Sequence, residues 1–181
     1  LTRPAILGAN SYAGNRGYDG LMDEVAVYGT VLTASKIAAH YQAATTNNAG
    51  YSAQILADAP LAYWPMNETA VTPPAASALP IAANSGSVGS AADGTNMWGT
   101  LAAQAGPAGA GFGAGNKAVY FDGANGSVGL PDAAGLHVSG NITLMAWVKP
   151  QARDFFRNII ANGLDDARGE TFLRIGKLDD Q

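Results

Sequence analysis

Residues 21 to 28, Leu-Met-Asp-Glu-Val-Ala-Val-Tyr, alternate so that Leu21, Val25 and Val27 share one face while Met22, Ala26 and Tyr28 share the other. Two apolar faces predict a strand covered on both sides. Gly29-Thr30 reads as a turn, followed by a short helix from Thr33 to about Ala44. Thr33 is placed to cap the free amides of its first turn, Leu32 and Ile37 occupy the positions of a hydrophobic staple, and Ile37, Tyr41 and Ala44 form the expected buried stripe. The polar run Thr45-Thr-Asn-Asn-Ala-Gly50 then reads as a linker.

Beyond it, Pro60 to Met66 forms an aromatic strand in which Pro65 withholds one ladder donor, so an edge or a bulge is expected. Residues 71 to 116 are rich in Ala, Gly, Ser and Pro, with isolated anchors at Ile81, Met97, Trp98, Leu101 and Phe112, and predict short strands at most. Clearer strands follow at Lys117 to Asp122, Ser127 to Leu130 and Ile142 to Lys149. In the last, Ile142, Leu144, Ala146 and Val148 face one way and Thr143, Met145 and Trp147 the other, the pattern of a central strand between two layers. Asn158 to Ala161 and Thr171 to Ile175 are the final strand candidates.

Composition narrows the class. The 181 residues are enough for one domain or two partial ones, and 23 glycines with 9 prolines favour a turn-rich, all-β chain. Ten basic against fourteen acidic residues leave a net charge of -4, and no basic cluster interleaved with aromatics is present, which argues against nucleic acid as a partner. No cysteine is available for a disulfide, a thiolate metal site or a thiol nucleophile. No apolar run reaches the ~18 residues of a membrane span, so no membrane insertion is expected. The opening Leu-Thr-Arg-Pro has neither an initiator Met nor a signal-peptide layout, which reads as an excised or processed piece. Low charge, with Thr, Ser, Asn and Gly supplying the polarity, fits a secreted or cell-surface protein. The Ala-rich, Cys-free character suggests a bacterial source, in which the sequons at Asn67, Asn125 and Asn141 would go unused.

Four phrases carry a family resemblance. Ala59-Pro-Leu-Ala-Tyr-Trp-Pro-Met-Asn-Glu68, Ala118-Val-Tyr-Phe-Asp-Gly123 and Asn141-Ile-Thr-Leu-Met-Ala-Trp-Val-Lys-Pro150 resemble the first three landmarks of laminin G-like and concanavalin A-like lectin-glucanase domains. Tyr18-Asp-Gly-Leu-Met-Asp-Glu-Val-Ala-Val-Tyr28, with Leu32-Thr33 and the helix ending His40-Tyr-Gln-Ala-Ala44, resembles the closing signature of the same family, yet it precedes the opening one. The resemblance implies an antiparallel β-sandwich of the jelly-roll, concanavalin A-like kind with one short helix, incomplete in this chain. Residues 1–48 would end one module, residues 49–58 would link, and residues 59–181 would begin the next; alternatively the two parts assemble as a permuted sandwich. Either arrangement leaves unpaired strand edges for neighbouring copies or modules to complete.

The chemistry expected is sparse. A glycosidase needs two carboxylates flanking its scissile bond, but the acids here are the adjacent pairs Asp23-Glu24, Asp165-Asp166 and Asp179-Asp180, whose members would point to opposite faces of a strand. His40, at a helix C-terminal end, and His137, in a loop, have no acid or Ser partner at a recognisable spacing and read as solvated structural residues. The run Gly109 to Gly115 leads into a strand rather than a helix and so reads as a loop, not a phosphate cradle. By resemblance to calcium-binding relatives, Ca²⁺ would be held by Asp122 and Asn125 with Asp23 or Glu24; alternatively Asp122 organises its own Asp-Gly turn and Asp23 caps nearby amides. Carbohydrate would be met by the loop aromatics Trp98, Tyr18 and Tyr12, with Phe112 a further candidate, while Trp64 and Trp147 read as core. The expectation is a non-catalytic extracellular structural or adhesive repeat module, with a glycan or protein ligand on a surface. The second expectation is a carbohydrate-binding accessory module of a glycan-degrading enzyme.

Overall fold

A computed structural model describes residues 5–9, 17–46, 49–70, 80–96, 99–152, 156–162 and 171–176. The strands are β1 (Ala5–Leu7), β2 (Asp19–Tyr28), β3 (Ala62–Trp64), β4 (Ile81–Ala82), β5 (Gly94–Asn96), β6 (Thr100–Ala105), β7 (Lys117–Asp122), β8 (Val128–Gly129), β9 (Thr143–Pro150), β10 (Arg157–Asn162) and β11 (Thr171–Ile175). Two helices, α1 (Ala34–Thr46) and α2 (Tyr51–Ala57), lie between β2 and β3. The fold is an all-β antiparallel sandwich. One sheet has the order β11-β10-β1-β8-β5-β4. The other is built around β2, with β9 along one edge, β3 and β7 dividing the other edge, and β6 beyond β7.

Both sheets combine strands from the two segments that the signatures delimit. β1 pairs with β8 and β10, and β2 pairs with β3, β7 and β9. Between the sheets lies an apolar core containing Leu7, Tyr18, Met22, Val25, Val27, Trp64, Met66, Val119, Phe121, Val128 and Ile160. Trp64 is fully buried there, and its indole N–H donates to the Ala92 carbonyl at 2.9 Å, which removes the cost of an unpaired donor in an apolar layer.

A second layer covers the outer face of the β2 sheet. Here α1, α2 and the turn Ala110–Phe112 pack over Ala26, Tyr28 and Tyr63, with Met145 and Trp147 at its border. Residues 49–58, expected to be a linker, hold α2 instead: Tyr51 and Ile55, one helical turn apart, are buried in this layer. Thr33 caps α1 as expected, its hydroxyl accepting from the Lys36 amide at 3.4 Å. The expected stripe is displaced. Ile37 and Tyr41 are 48% and 62% exposed, and the buried residues of α1 are His40, Ala43 and Ala44. Small residues let the helix approach closely, and Gly111 lies so near the Ala43 and Ala44 backbone that a Cβ there would clash. Ile81 and Leu101, expected as anchors, are likewise exposed.

Candidate functional site

The chemistry of the molecule collects in the outer layer, and a bulge in β2 puts it there. Asp23 pairs with Trp147 and Ala26 with Met145, so Glu24 and Val25 together oppose Ala146. Glu24 takes a φ of 53°, the left-handed conformation that bulges use. The extra residue shifts the alternation by one step. Met22, Val25 and Val27 therefore share the inter-sheet core, and Asp23 and Glu24 both reach partners on the helix-covered side. The expected division of β2, with Leu21 beside Val25 and with Asp23 and Glu24 on opposite faces, is corrected by this bulge.

Asp23 and Glu24 are each 1% exposed. Asp23 Oδ2 accepts from Asn116 Nδ2 at 2.7 Å, and its Oδ1 accepts from the Glu24 amide at 2.9 Å. The Tyr63 hydroxyl donates to Glu24 Oε2 and lies 2.7 Å from Ser52 Oγ. Nearby, Trp147 Nε1 donates to the Tyr51 hydroxyl at 2.9 Å. Among the described residues the ion pairs are Lys36–Asp58, His40–Asp58 and His137–Asp132, so neither buried acid has a cation. Burial, reinforced by the Glu24 charge, pushes the Asp23 carboxyl up to about 8. Burial pushes Glu24 up to about 7 against the opposing pull of the Tyr63 hydroxyl. An uncompensated charge in such surroundings is costly, and retaining protons avoids that cost.

Beside this cluster an open cleft of about 440 Å³ is lined by Asn67, Glu68, Thr69, Phe112, Asn116 and Lys117, among others. Glu68 Oε1 accepts from the Ala83 amide at 3.3 Å, while its Oε2 is buried with no hydrogen-bond partner among the described residues. Burial raises its carboxyl above the ordinary range. Asn116 joins the two features, lining the cleft and holding Asp23.

The residues expected to carry function are scattered. Asp122 and Asn125 lie at the far end of β7 from Asn116, with Asp122 roughly 20 Å away at the usual strand rise. The four expected calcium ligands thus fall into two separate pairs. Asp122 organises its own turn: Oδ1 accepts from the amides of Ala124, Asn125 and Gly126 at 2.9, 2.8 and 2.8 Å, and Gly123 supplies a φ of 73°. Burial opposes ionisation there, but these amides outweigh it and hold the carboxyl below its ordinary range. Among the described residues no group of three or more His, Asp or Glu is placed to hold a metal ion.

Tyr18, expected to meet a glycan, is instead fully buried, edge-on to Phe121 with its hydroxyl donating to the Leu21 carbonyl at 2.9 Å. Trp98 and Tyr12 lie outside the described residues, as do Asp165, Asp166, Asp179 and Asp180. Both histidines do have acid partners. His40, 1% exposed rather than solvated, places Nε2 2.8 Å from Asp58 Oδ2, and His137 Nε2 lies 2.5 Å from Asp132 Oδ1. Asp58, at the C-terminal end of α2, also takes Nζ of Lys36, which lies one helical turn before His40 on α1, at 2.7 Å.

No family model matches this chain, and no curated protein or solved structure matches it.

Glu68, Asn116 and Phe112 line the cleft, while Tyr63 and Trp147 make hydrogen bonds in the buried cluster beside it; of these five, sequence reasoning singled out only Phe112, as a loop aromatic. Glu68 and Tyr63 belong to the same phrase, residues 59 to 68, whose repeated aromatics signalled only burial. Asn116 carries no local signal, because its partner Asp23 is 93 positions away in sequence.

Proposed function

We propose that this chain is a non-catalytic structural and adhesive module of a large secreted or surface protein, related to laminin G-like and concanavalin A-like domains, whose sheet is completed by a strand of a neighbouring copy. The observation that carries this reading is the outer edge of β9. Among the described residues β9 pairs only with β2. The Gln151 amide donates to the Asp19 carbonyl at 2.9 Å, which turns the backbone groups of Lys149, Trp147 and Met145 toward β2 as well. Those of Val148, Ala146 and Leu144 therefore line the open edge.

The side chains of the same three residues pack on the inter-sheet core yet remain partly exposed. An added strand would satisfy their backbone groups and cover the core beside them. Pro150 lies at the same edge and has no N–H to satisfy. A neighbouring copy is the favoured source, because the closing signature standing ahead of the opening one is the order that successive copies produce. The non-catalytic assignment is supported by the sealing of Asp23 and Glu24, each 1% exposed, away from any substrate.

Light scattering across a concentration series, combined with amide exchange, tests the proposal. Self-association should rise with concentration, and the Leu144, Ala146 and Val148 amides should become protected in step with it. A monomer at every concentration with these three amides exchanging freely would refute it.

A further inference from the structure

The turn between β7 and β8 holds a reactive dipeptide that strand completion does not use. Residues 121–127 read Phe-Asp-Gly-Ala-Asn-Gly-Ser, and Asn125 is exposed. Asparagine followed by glycine is open to self-modification, because no side chain on the second residue shields its nitrogen from the carboxamide of the first. Among the described residues no hydrogen bond ties down the Asn125 carboxamide. The glycine cannot be exchanged for a safer residue. A Cβ on Gly126 would lie 2.7 Å from the Gly99 carbonyl oxygen, a backbone atom with no freedom to swing aside.

The chemistry needs only the chain and water. The Gly126 nitrogen loses its proton to solvent and attacks Asn125 Cγ, a C–N bond closes a five-membered imide, and the side-chain nitrogen leaves as ammonia. Water then opens the ring at either carbonyl. Opening at Cγ leaves aspartate, and opening at the Asn125 main-chain carbon leaves isoaspartate, in which the chain runs through the former side chain. One water enters, one ammonia leaves and nothing is oxidised or reduced.

In the folded turn the attacking atom is occupied. The Gly126 N–H donates to Asp122 Oδ1 at 2.8 Å, and the Asn125 and Ala124 amides donate to the same oxygen at 2.8 and 2.9 Å. Taking the proton from Gly126 would set a nitrogen anion against a carboxylate, which like charges resist. The three bonds also fix the backbone on both sides of Asn125, so the ring closes only after they break. Asp122 is itself protected in the same way, since the Gly123 N–H that would attack it donates to the Tyr18 carbonyl at 2.9 Å.

We propose that Asn125 is a site of spontaneous conversion to aspartate and isoaspartate, and that the Asp122 carboxylate gates it by holding the Gly126 amide. Conversion runs through the opened turn and is slow while the turn is closed. Its product bears on the fold, because isoaspartate adds a main-chain methylene shortly before Val128, which is fully buried and pairs with β1 and β5. The gate does not depend on the open edge of β9.

The test follows conversion in the full chain near neutral pH by peptide mapping and mass spectrometry, with isoaspartate counted enzymatically by its methylation. A synthetic peptide of residues 119–129 supplies the ungated rate. Asn125 in the parent should convert roughly tenfold or more slowly than in the peptide, and Asp122→Ala should recover most of that factor, the measure of a hydrogen bond to a charged group. Asn162-Gly163, the same dipeptide elsewhere in the chain, is the control for folding and should keep its rate in Asp122→Ala. If both sites quicken because that variant unfolds, Asp122→Asn, which keeps an oxygen acceptor and drops the charge, should quicken Asn125 alone. Conversion in the parent as fast as in the peptide would overturn the proposal. So would a peptide that does not convert, an Asn125 rate unchanged in both variants, or one that rises only together with Asn162.

Discussion

The two layers that β2 separates are built from the same strand and obey different rules. On its inner side Met22, Val25 and Val27 meet Trp64, Met66, Val119 and Phe121, and the polar atom of Trp64 is tied off against a backbone carbonyl. On its outer side Ala26 and Tyr28 share their layer with two carboxyls, two further phenols and an indole N–H. The inner layer is held mainly by apolar area, its few polar atoms tied to backbone carbonyls, so its energy depends on volume and packing and changes little between pH 5 and pH 9. The outer layer holds groups whose cost of burial changes with protonation, so its energy depends on solution conditions. A cleft lies beside the layer that carries these polar groups, and Asn116 belongs to both.

The sharpest way to break this contrast is to remove inner volume. Trp64→Ala should cost about 3–5 kcal/mol in a denaturation experiment, with the same loss at pH 5 and pH 9, because no titrating group is involved. A pH-dependent loss would show that the layers are coupled rather than distinct.

Next in size is the pH dependence of the outer layer. The folded Asp23 and Glu24 carboxyls titrate near 8 and 7, above the ordinary 3.8 and 4.5, so the folded state holds their protons more tightly than the unfolded chain does. Their contribution is fully present below pH 4 and is lost as pH rises through the window from about 4 to about 8. Stability measured across that window should fall by an amount on the order of a few kcal/mol. Asp23→Asn should flatten the decline and leave the protein more stable than the parent at pH 9. A parent whose stability rises over the window would contradict the assignment.

A smaller effect is expected from Tyr63→Phe, which takes the donor from Glu24 and leaves a buried acceptor. It should cost about 1–3 kcal/mol and raise the pH at which Glu24 titrates, readable from its side-chain carboxyl signal. An unchanged titration would mean that the phenol does not hold this carboxyl. Smallest is Tyr41→Ala. Tyr41 is 62% exposed, and its ring stacks on Trp147 with centroids 6.3 Å apart, so the loss should stay within about 1 kcal/mol. A much larger loss would place Tyr41 inside a buried interface of an assembly.

Much of the strand content was legible. Lys117 to Asp122 and Thr171 to Ile175 fall where their alternation and β-branched or aromatic residues put them, and Thr33 begins its helix as a side-chain cap should. These are local relations, decided by residues within a few positions of one another. α2 was not legible, because Tyr51-Ser-Ala-Gln-Ile-Leu-Ala57 presents only two core residues over seven positions and depends on the layer beneath it. Nor was the candidate site, because its members come from residues 23, 24, 63, 68 and 116, and only the pairing of β2 with its neighbours brings them together.

By itself the chain of residues determined that β2 is a strand with two apolar faces, that its surroundings are all-β and antiparallel, and that little charge is available for chemistry. Alternation, turn residues and composition are properties that one segment possesses alone. Only the tertiary structure decided where the two carboxyls of Asp23 and Glu24 point. A bulge is a mismatch of count between two strands, and here it lies between residues 23–26 and residues 145–147. No pattern within either segment records it, yet one extra residue there turns two acids toward a single layer.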